Sequence, residues 1–280
     1  LEKKDLPKKL TSIADPPERL FIKGQDIRKF AKLPTIAVVG SRRVSPYGKH
    51  ITKKLASELA SDGVVIVSGL ALGVDSIAHQ AALDAKGLTI AVLPGGIDKV
   101  YPRSHEPLAR AIVASGGSLV SEKYGDDSPR EYDFLTRNRL ISALSDGILI
   151  TEAAIRSGSL NTARHALEQG RTVFAVPGNI TSELSGGTNN LLKIGAVPVT
   201  CAQDIYDALG WKLSKKIADT TAYTEEEQAI LNILKKHDSI SGEELLKLSK
   251  LPDSVFFETM TMLEINGSIK ALGGNQWSTR

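Results

Sequence analysis

Two arginine clusters are the residues best equipped for chemistry in this chain. Arg42 and Arg43 follow Gly40-Ser41 at the end of an apolar run, and Arg137 and Arg139 flank Asn138 at the start of another. A guanidinium is a planar fork of donors that matches the oxygens of a phosphate. Backbone N–H groups in a tight glycine turn add donors of the same kind. Arg42 therefore reads as a phosphate ligand, and Asn138 as a group able to bond a base or sugar. Taken alone, the Arg137–Arg139 pair reads more simply as a solvated basic face. Residues two apart on a helix point roughly 200° from each other, so one is expected to face a ligand and the other to brace the fold.

Groups for bond-making chemistry are scarce. There is no G-x-S-x-G and no carboxylate pair with separable roles. The turn at Gly40 is G-S-R-R rather than G-x-G-x-x-G, and no G-x-x-x-x-G-K-[ST] occurs, which speaks against a dinucleotide site and against P-loop hydrolysis. The five histidines and one cysteine lack the spacing of a zinc site. Glu152 closes a strand in Thr151-Glu152-Ala153-Ala154, where it reads either as a base or as a buried carboxylate holding an arginine fork. No catalytic residue, metal or cofactor is expected, and the chain reads as a non-enzyme.

The elements that must position these groups are legible as alternation. TIAVVG (35–40), VVIVSG (64–69), TIAVLPGG (89–96), GILITEAA (147–154) and TVFAVPGN (172–179) are apolar throughout, as parallel strands buried on both faces are. Helical segments separate them, beginning with one from Ser45-Pro46 through Ser61. This pattern predicts an open, doubly wound, mostly parallel sheet. Small-residue turns end these runs: Gly40-Ser41, Ser68-Gly69, Pro94-Gly95-Gly96, Ser157-Gly158-Ser159 and Pro177-Gly178. Together they would leave room at the carboxyl edge of the sheet, where such folds bind ligands, for an anion to approach the backbone.

Four regions follow. Residues 1–33 are an extended lead-in with one short strand around Phe21, 34–212 the sheet domain, 213–222 a polar linker, and 223–280 a small domain. The last reads as three helices and a hairpin turning at Gly273-Gly274, the order of a winged helix. Its third helix, PDSVFFETMTMLEING, carries no basic residue, which argues against a duplex-reading role. From Thr221 onward six Lys/Arg face nine Asp/Glu, so the net +3 of the whole chain is made of −3 there and +6 before it. The electrostatic bias thus lies on the sheet domain. With 41% hydrophobic residues, no long apolar run and a single cysteine, Cys201, the composition suits a cytoplasmic protein with no membrane span.

The strings VVGSRRVSPYG, SGLALGVDSIAHQAAL, LPGGIDKVYP, FLTRNRLISALS, TEAAIRSGSLNTARHALEQGR, VFAVPG and SGGTNNLLKIGA, in that order, resemble the DNA-processing protein A family (DprA/Smf). The resemblance implies an extended Rossmann-like fold that binds single-stranded DNA, protects incoming DNA in natural transformation and loads the RecA recombinase. It also implies a homodimer, with no need of a metal or nucleotide. The family's phosphate-facing arginine falls on Arg42 and its Arg-Asn-Arg motif on Arg137, Asn138 and Arg139. Gly40, Ser41, Ser68, Gly69, Gly95, Gly96, Gly158, Ser159 and Gly178 complete the expected DNA-binding set. Many members carry an N-terminal helical domain that this sequence, which opens at Leu1 without Met, does not show. The rival reading is a nucleotide-processing phosphoribohydrolase, whose P-G-G-x-G-T-x-x-E signature is broken after Gly96 by Ile97-Asp98-Lys99.

Overall fold

A computed structural model describes residues 1–212, 224–237, 239–265 and 268–279. The expected linker over 213–222 lies outside the described residues. The chain divides into two compact units, Leu1–Lys216 and Ile217–Arg280.

In the first unit the elements run α1 (Lys8–Thr11), β1 (Phe21–Gly24), β2 (Thr35–Val39), α2 (Pro46–Ser61), β3 (Val65–Ser68), α3 (Val74–Asp84), β4 (Thr89–Val92) and α4 (Glu106–Ala114). They continue as β5 (Ser118–Ser121), α5 (Glu131–Ala143), β6 (Gly147–Ile150), α6 (Ser159–Glu168), β7 (Thr172–Ala175), α7 (Gly186–Lys193), β8 (Val197–Pro198) and α8 (Ala202–Leu209). The sheet has eight strands in the order β1-β5-β4-β3-β2-β6-β7-β8, with only β1 antiparallel to its neighbour. This is the Rossmann-like α/β architecture that the alternation predicts. The lead-in is less extended than expected, with 3-10 turns at Lys3–Asp5 and Ile27–Phe30 besides its strand. It holds the short helix α1, which starts directly after Pro7, a residue whose fixed φ suits a helix start.

Every residue of β2, β3, β4, β5 and β6 is buried, because helices cover both faces. One face packs Val39, Val67, Val92, Ile148 and Ile150 against α5 and α6. The other packs Ile36, Val38, Ile66, Leu149 and Phe174 against α2, α3 and α8. Phe174 is fully buried and lies over Gly147 on the neighbouring strand, where a Cβ would stand 2.7 Å from the ring. No helix among the described residues is long and apolar enough to cross a membrane.

The second unit contains α9 (Glu225–Leu234), β9 (Ile240–Ser241), α10 (Gly242–Ser249), α11 (Asp253–Ile265), β10 (Ile269–Gly273) and β11 (Gln276–Thr279). Thr224 and Glu227 cap α9 reciprocally: Glu227 N donates to Thr224 Oγ1 at 3.3 Å, and Thr224 N donates to Glu227 Oε2 at 2.9 Å. Ile230, Leu234, Leu245, Phe256, Leu263 and Ile269 form its core. Ile240-Ser241 pairs with β11 and extends the expected hairpin to three strands.

Truncating the ring over Gly147 tests how much of the sheet domain rests on this layer. Phe174→Ala is expected to cost about 3–5 kcal/mol, the usual range for an emptied aromatic core site. Urea unfolding followed by circular dichroism measures it, and a loss below about 1 kcal/mol would contradict the packing described.

Candidate functional site

Strand order reverses between β2 and β6: β3, β4 and β5 extend one way from this junction, β7 and β8 the other. Connections leaving β2 and β6 therefore diverge, and a crevice opens beyond their carboxyl ends. A cleft of about 980 Å³ sits there, walled by residues 40–43 after β2, 154–159 after β6, and the first turns of α5.

Each wall is fixed by a specific contact. Ser41 donates its backbone N–H to the Glu152 carbonyl at 2.7 Å, joining the two strand ends. Ser41 Oγ accepts from Arg43 N at 3.1 Å and donates to the Arg43 carbonyl, so the serine folds the Arg42-Arg43 turn around its own hydroxyl. A Cβ on Gly40 would lie 2.6 Å from the Glu152 carbonyl, which is why the strand must end in glycine. The Glu152 carboxylate is fully engaged beneath: Oε2 accepts from Ser45 N at 2.8 Å, and Oε1 from Ser45 Oγ at 2.5 Å. Ser45 in turn accepts from Gly48 N at 3.0 Å and caps α2. Neither reading of Glu152 as a free base or as the holder of an arginine fork survives. It is a clamp on the turn that carries Arg42.

The three family arginines have different environments. Arg42 is exposed and its guanidinium lies 5.1 Å from the centre of the Phe134 ring, which meets Tyr101 edge-on at 5.6 Å. Arg137 is buried in the cleft floor, where Nη1 donates to the Gly69 carbonyl at 2.8 Å and to the Val92 carbonyl. A Cβ on Gly69 would stand 2.6 Å from Nη2, so glycine there admits the guanidinium. Burial pushes the Arg137 pKa down to about 10, the buried Asp75 carboxylate works against that fall, and Arg42 adds slightly to it. Burial likewise raises Asp75, which Arg137 and the N–H groups of Ala71 and Gly69 partly offset. Arg137 thus links the ends of β3 and β4 to α5, with the Asp75 carboxylate opposing the effect of its burial.

Arg139 points away from the cleft. Its guanidinium forks onto Glu122 through Nη1 and Nη2, both at 2.7 Å, and Nε donates to Asp15 Oδ2 at 2.8 Å. Burial alone would lower its pKa, but the two carboxylates hold it above the ordinary value. It braces the lead-in against α5 and β5, as one member of the pair was expected to do.

Among the expected residues, Gly40, Ser41, Arg42, Arg137, Asn138, Gly158 and Ser159 line the cleft; Ser68, Gly69, Gly95, Gly96, Arg139 and Gly178 do not. Ser68 is turned into the sheet, donating to the Val38 carbonyl at 2.6 Å. Gly95 and Gly96 are covered by the segment 125–129, to which Gly96 N donates at the Asp127 carbonyl, 2.9 Å away. Gly178 is fastened to Asn189 on α7 through N–H and carbonyl, both at 3.1 Å. The cleft also contains Arg156, Tyr101 and Phe134, which the sequence did not single out, and Arg43, which it marked only as the neighbour of Arg42. Phe134 precedes Arg137 by three residues, the spacing that puts two side chains on one helix face, so its presence was legible. Tyr101 arrives on the loop between β4 and α4 and carries no such signal. Among the described residues Arg42, Arg43 and Arg156 form no ion pair, and Gly158 has open space around it at the α6 N-terminus. The cleft has carboxylates as well, Glu131 and Glu183 at its rim and Asp75 in its floor, but none within ion-pair distance of those three arginines.

Residues 1–210 match the family model described as DNA recombination-mediator protein A. The chain is 46% identical over 209 residues to the Smf protein of Escherichia coli, covering 74% of this chain but 55% of that one. It is 43% identical over 209 residues to the DNA processing protein DprA of Bacillus subtilis, covering 75% and 70% respectively. The structure of DprA from Streptococcus pneumoniae superposes with a TM-score of 0.68 at 40% identity, over 74% of this chain and 72% of that one. A DprA structure from Helicobacter pylori, described for its single-stranded DNA binding mode, gives 0.68 at 37% identity over 75% and 95%.

Behind the floor lies His79, fully buried, with Nδ1 2.7 Å from Thr89 Oγ1. Thr89 Oγ1 donates to the Ile66 carbonyl at 2.7 Å, so it accepts from His79, and the unpartnered Nε2 is left without a proton. Burial first, then the positive charges of His105 and Arg137, pushes the His79 pKa down to about 3. A pKa depressed below the unfolded value contributes stability that is complete above about pH 6.5 and is lost as pH falls towards 3. The urea midpoint is expected to drop between pH 7 and pH 5, and His79→Leu to flatten that drop. Equal pH dependence in the two proteins would show that His79 does not carry it.

Proposed function

The chain belongs to the DNA recombination-mediator protein A family, and from that premise we propose that it binds single-stranded DNA in the cleft beyond β2 and β6. The observation that carries this reading is the set of three cleft arginines, Arg42, Arg43 and Arg156, that have no ion-pair partner among the described residues and stand beside an aromatic pair. Phosphates are taken by Arg42, Arg43 and Arg156, together with the backbone at Gly40-Ser41 and at Gly158-Ser159. In this reading Asn138 bonds a sugar or base edge through the amide whose Oδ1 accepts from Arg137 Nε at 3.3 Å. The Tyr101–Phe134 pair, with Arg42 against it, offers a short stacking surface of the kind that holds bases without reading their sequence. A flexible single strand can turn its phosphates into such a recess and its bases onto the rings, whereas a duplex keeps its bases stacked inside.

In the same reading the protein acts in natural transformation, protecting incoming strands and loading the RecA recombinase onto them without catalysing a reaction. It does so as a homodimer, which joins two clefts on one strand and raises affinity for long DNA through effective concentration. The small C-terminal unit is a winged helix whose role is a protein contact or packing, since α11 presents no basic side chain.

Titration of a labelled single strand and of a duplex of the same length, at two salt concentrations, tests the cleft. Arg42→Ala is expected to weaken single-strand binding by about 1.5–3 kcal/mol, the value of a charged hydrogen bond. Equal affinity for duplex and single strand, or full binding by the variant, would overturn the reading. Glu152→Gln gives a test of opposite electrostatic sign. Removing a negative charge should strengthen DNA binding if only charge mattered, whereas loss of the clamp on Ser45 is expected to weaken it. Tighter binding by this variant would show that the carboxylate does not position the turn.

A further inference from the structure

The cleft has an extension that neither the family motifs nor the cleft itself includes. Helix α2 leaves the Arg42-Arg43 turn and carries Lys49, His50, Lys53 and Lys54 on its exposed side, opposite Gly48, Thr52, Leu55, Ala56 and Leu59, which are buried. Lys49 and Lys53 are one turn apart, as are His50 and Lys54. None of the four forms an ion pair among the described residues. The acids of this helix lie at its other end: Glu58, half-buried in the penultimate turn, and the C-cap Asp62, which accepts from the Tyr206 hydroxyl at 2.7 Å.

This order opposes the helix dipole. Cations are stabilised near a helix C-terminus and anions near its N-terminus, and α2 has no acidic residue in its first turn and no basic one in its last. A surface helix selected only for stability would reverse the distribution. Lys49 in the first turn instead adds its field to that of the dipole, Lys53 and Lys54 follow at mid-helix, and all add to that of Arg42 and Arg43. The positive potential is therefore greatest where α2 meets the cleft, and it continues along the helix as far as Lys54. At about 1.5 Å per residue, the distance from Ser45 to Lys54 is roughly 13 Å, enough for three to four nucleotides at the ~3.4 Å spacing of a stacked strand. Tyr47, half exposed, stands between turn and lysines with its hydroxyl donating to the Pro177 carbonyl at 2.9 Å, so its ring is held in place beside the path.

We propose that the solvent face of α2 is a track for the segment of single-stranded DNA that leaves the cleft, with Lys49, Lys53 and Lys54 neutralising its phosphates. This rests on the reading of the cleft as a single-strand site and adds a second, sequence-independent stretch of contact to it. Short strands that fill the cleft do not reach the track, whereas long ones do.

The test is the triple substitution Lys49→Ala, Lys53→Ala, Lys54→Ala in the full chain, all at exposed helical positions where alanine is a good helix former. Fluorescence anisotropy with oligothymidylates of about 6 and about 25 nucleotides, bracketing the cleft and a site that includes the track, is read from 50 to 300 mM salt. For the long strand the triple variant is expected to lose at least about tenfold in affinity, and its log–log salt slope to become shallower by about 2, which is three phosphate contacts at ~0.7 each. For the short strand the affinity is expected to stay within about twofold of wild type, the cleft contacts being intact. An unchanged long-strand affinity and slope would overturn the track. An equal loss for both lengths would also overturn it, because the lysines would then be acting on the cleft through overall charge. Failure of the underlying reading looks different: wild-type protein would bind neither strand, or Arg42→Ala would bind both as wild type does.

Discussion

The reversal of strand order between β2 and β6 is the constraint from which the rest of the site follows. Two adjacent parallel strands whose connections depart in opposite directions cannot close over their own carboxyl ends. The chain meets this with two small-residue turns, 40–43 and 154–159, and with one carboxylate that ties them together. Glu152 belongs to β6's exit by sequence and to α2's cap by contact, while its backbone carbonyl holds Ser41. A single residue thereby sets the distance between the two walls. Its burial is tolerable because both oxygens accept hydrogen bonds, one from a backbone N–H and one from a hydroxyl.

Around that junction the arginines separate by solvation rather than by residue type. Arg137 and Arg139 are buried, and each has found the partners that burial demands: two carbonyls and Asp75 for the first, Glu122 and Asp15 for the second. Guanidinium donors committed to internal carbonyls and carboxylates have fewer bonds left to offer a ligand in the cleft. Arg42, Arg43 and Arg156 keep theirs, since no carboxylate among the described residues pairs with them. The pattern explains how a motif of two arginines can matter to a site beyond direct contact with a ligand, by fixing α5 so that Phe134 and Asn138 reach the cleft.

The parallel sheet was legible because strands buried on both faces leave an uninterrupted apolar signature, and turns lacking bulk mark their ends. Which turns border the cleft was not. Pro94-Gly95-Gly96 looks in sequence like Gly40-Ser41, yet the segment 125–129 comes back over it, and nothing local in 94–96 announces a cover more than 25 residues away. Glu152 shows the same limit. Its type and strand-end position indicated an important carboxylate, but its partner Ser45 lies 107 residues earlier, and a hydrogen bond across that separation leaves no periodic trace. The lead-in helix α1 was hidden for a different reason: four residues are too short for a periodicity to register. Phe134, by contrast, was within reach of the helical spacing that links it to Arg137.

Charge is partitioned along the chain as strictly as the fold is. The residues from Thr221 onward carry a balance of −3, while the rest carries +6. Within the sheet domain the same separation recurs on one helix, with lysines at the start of α2 and acids at its end. A field arranged only for solubility would intersperse the signs, because mixed charges lower self-repulsion and satisfy helix dipoles. Segregation at both scales concentrates positive potential at one edge of one sheet, the edge that strand reversal had already opened. Like charges held this close repel one another, and any ligand that binds there by charge alone gains by relieving that repulsion, with no need for a residue to read its sequence.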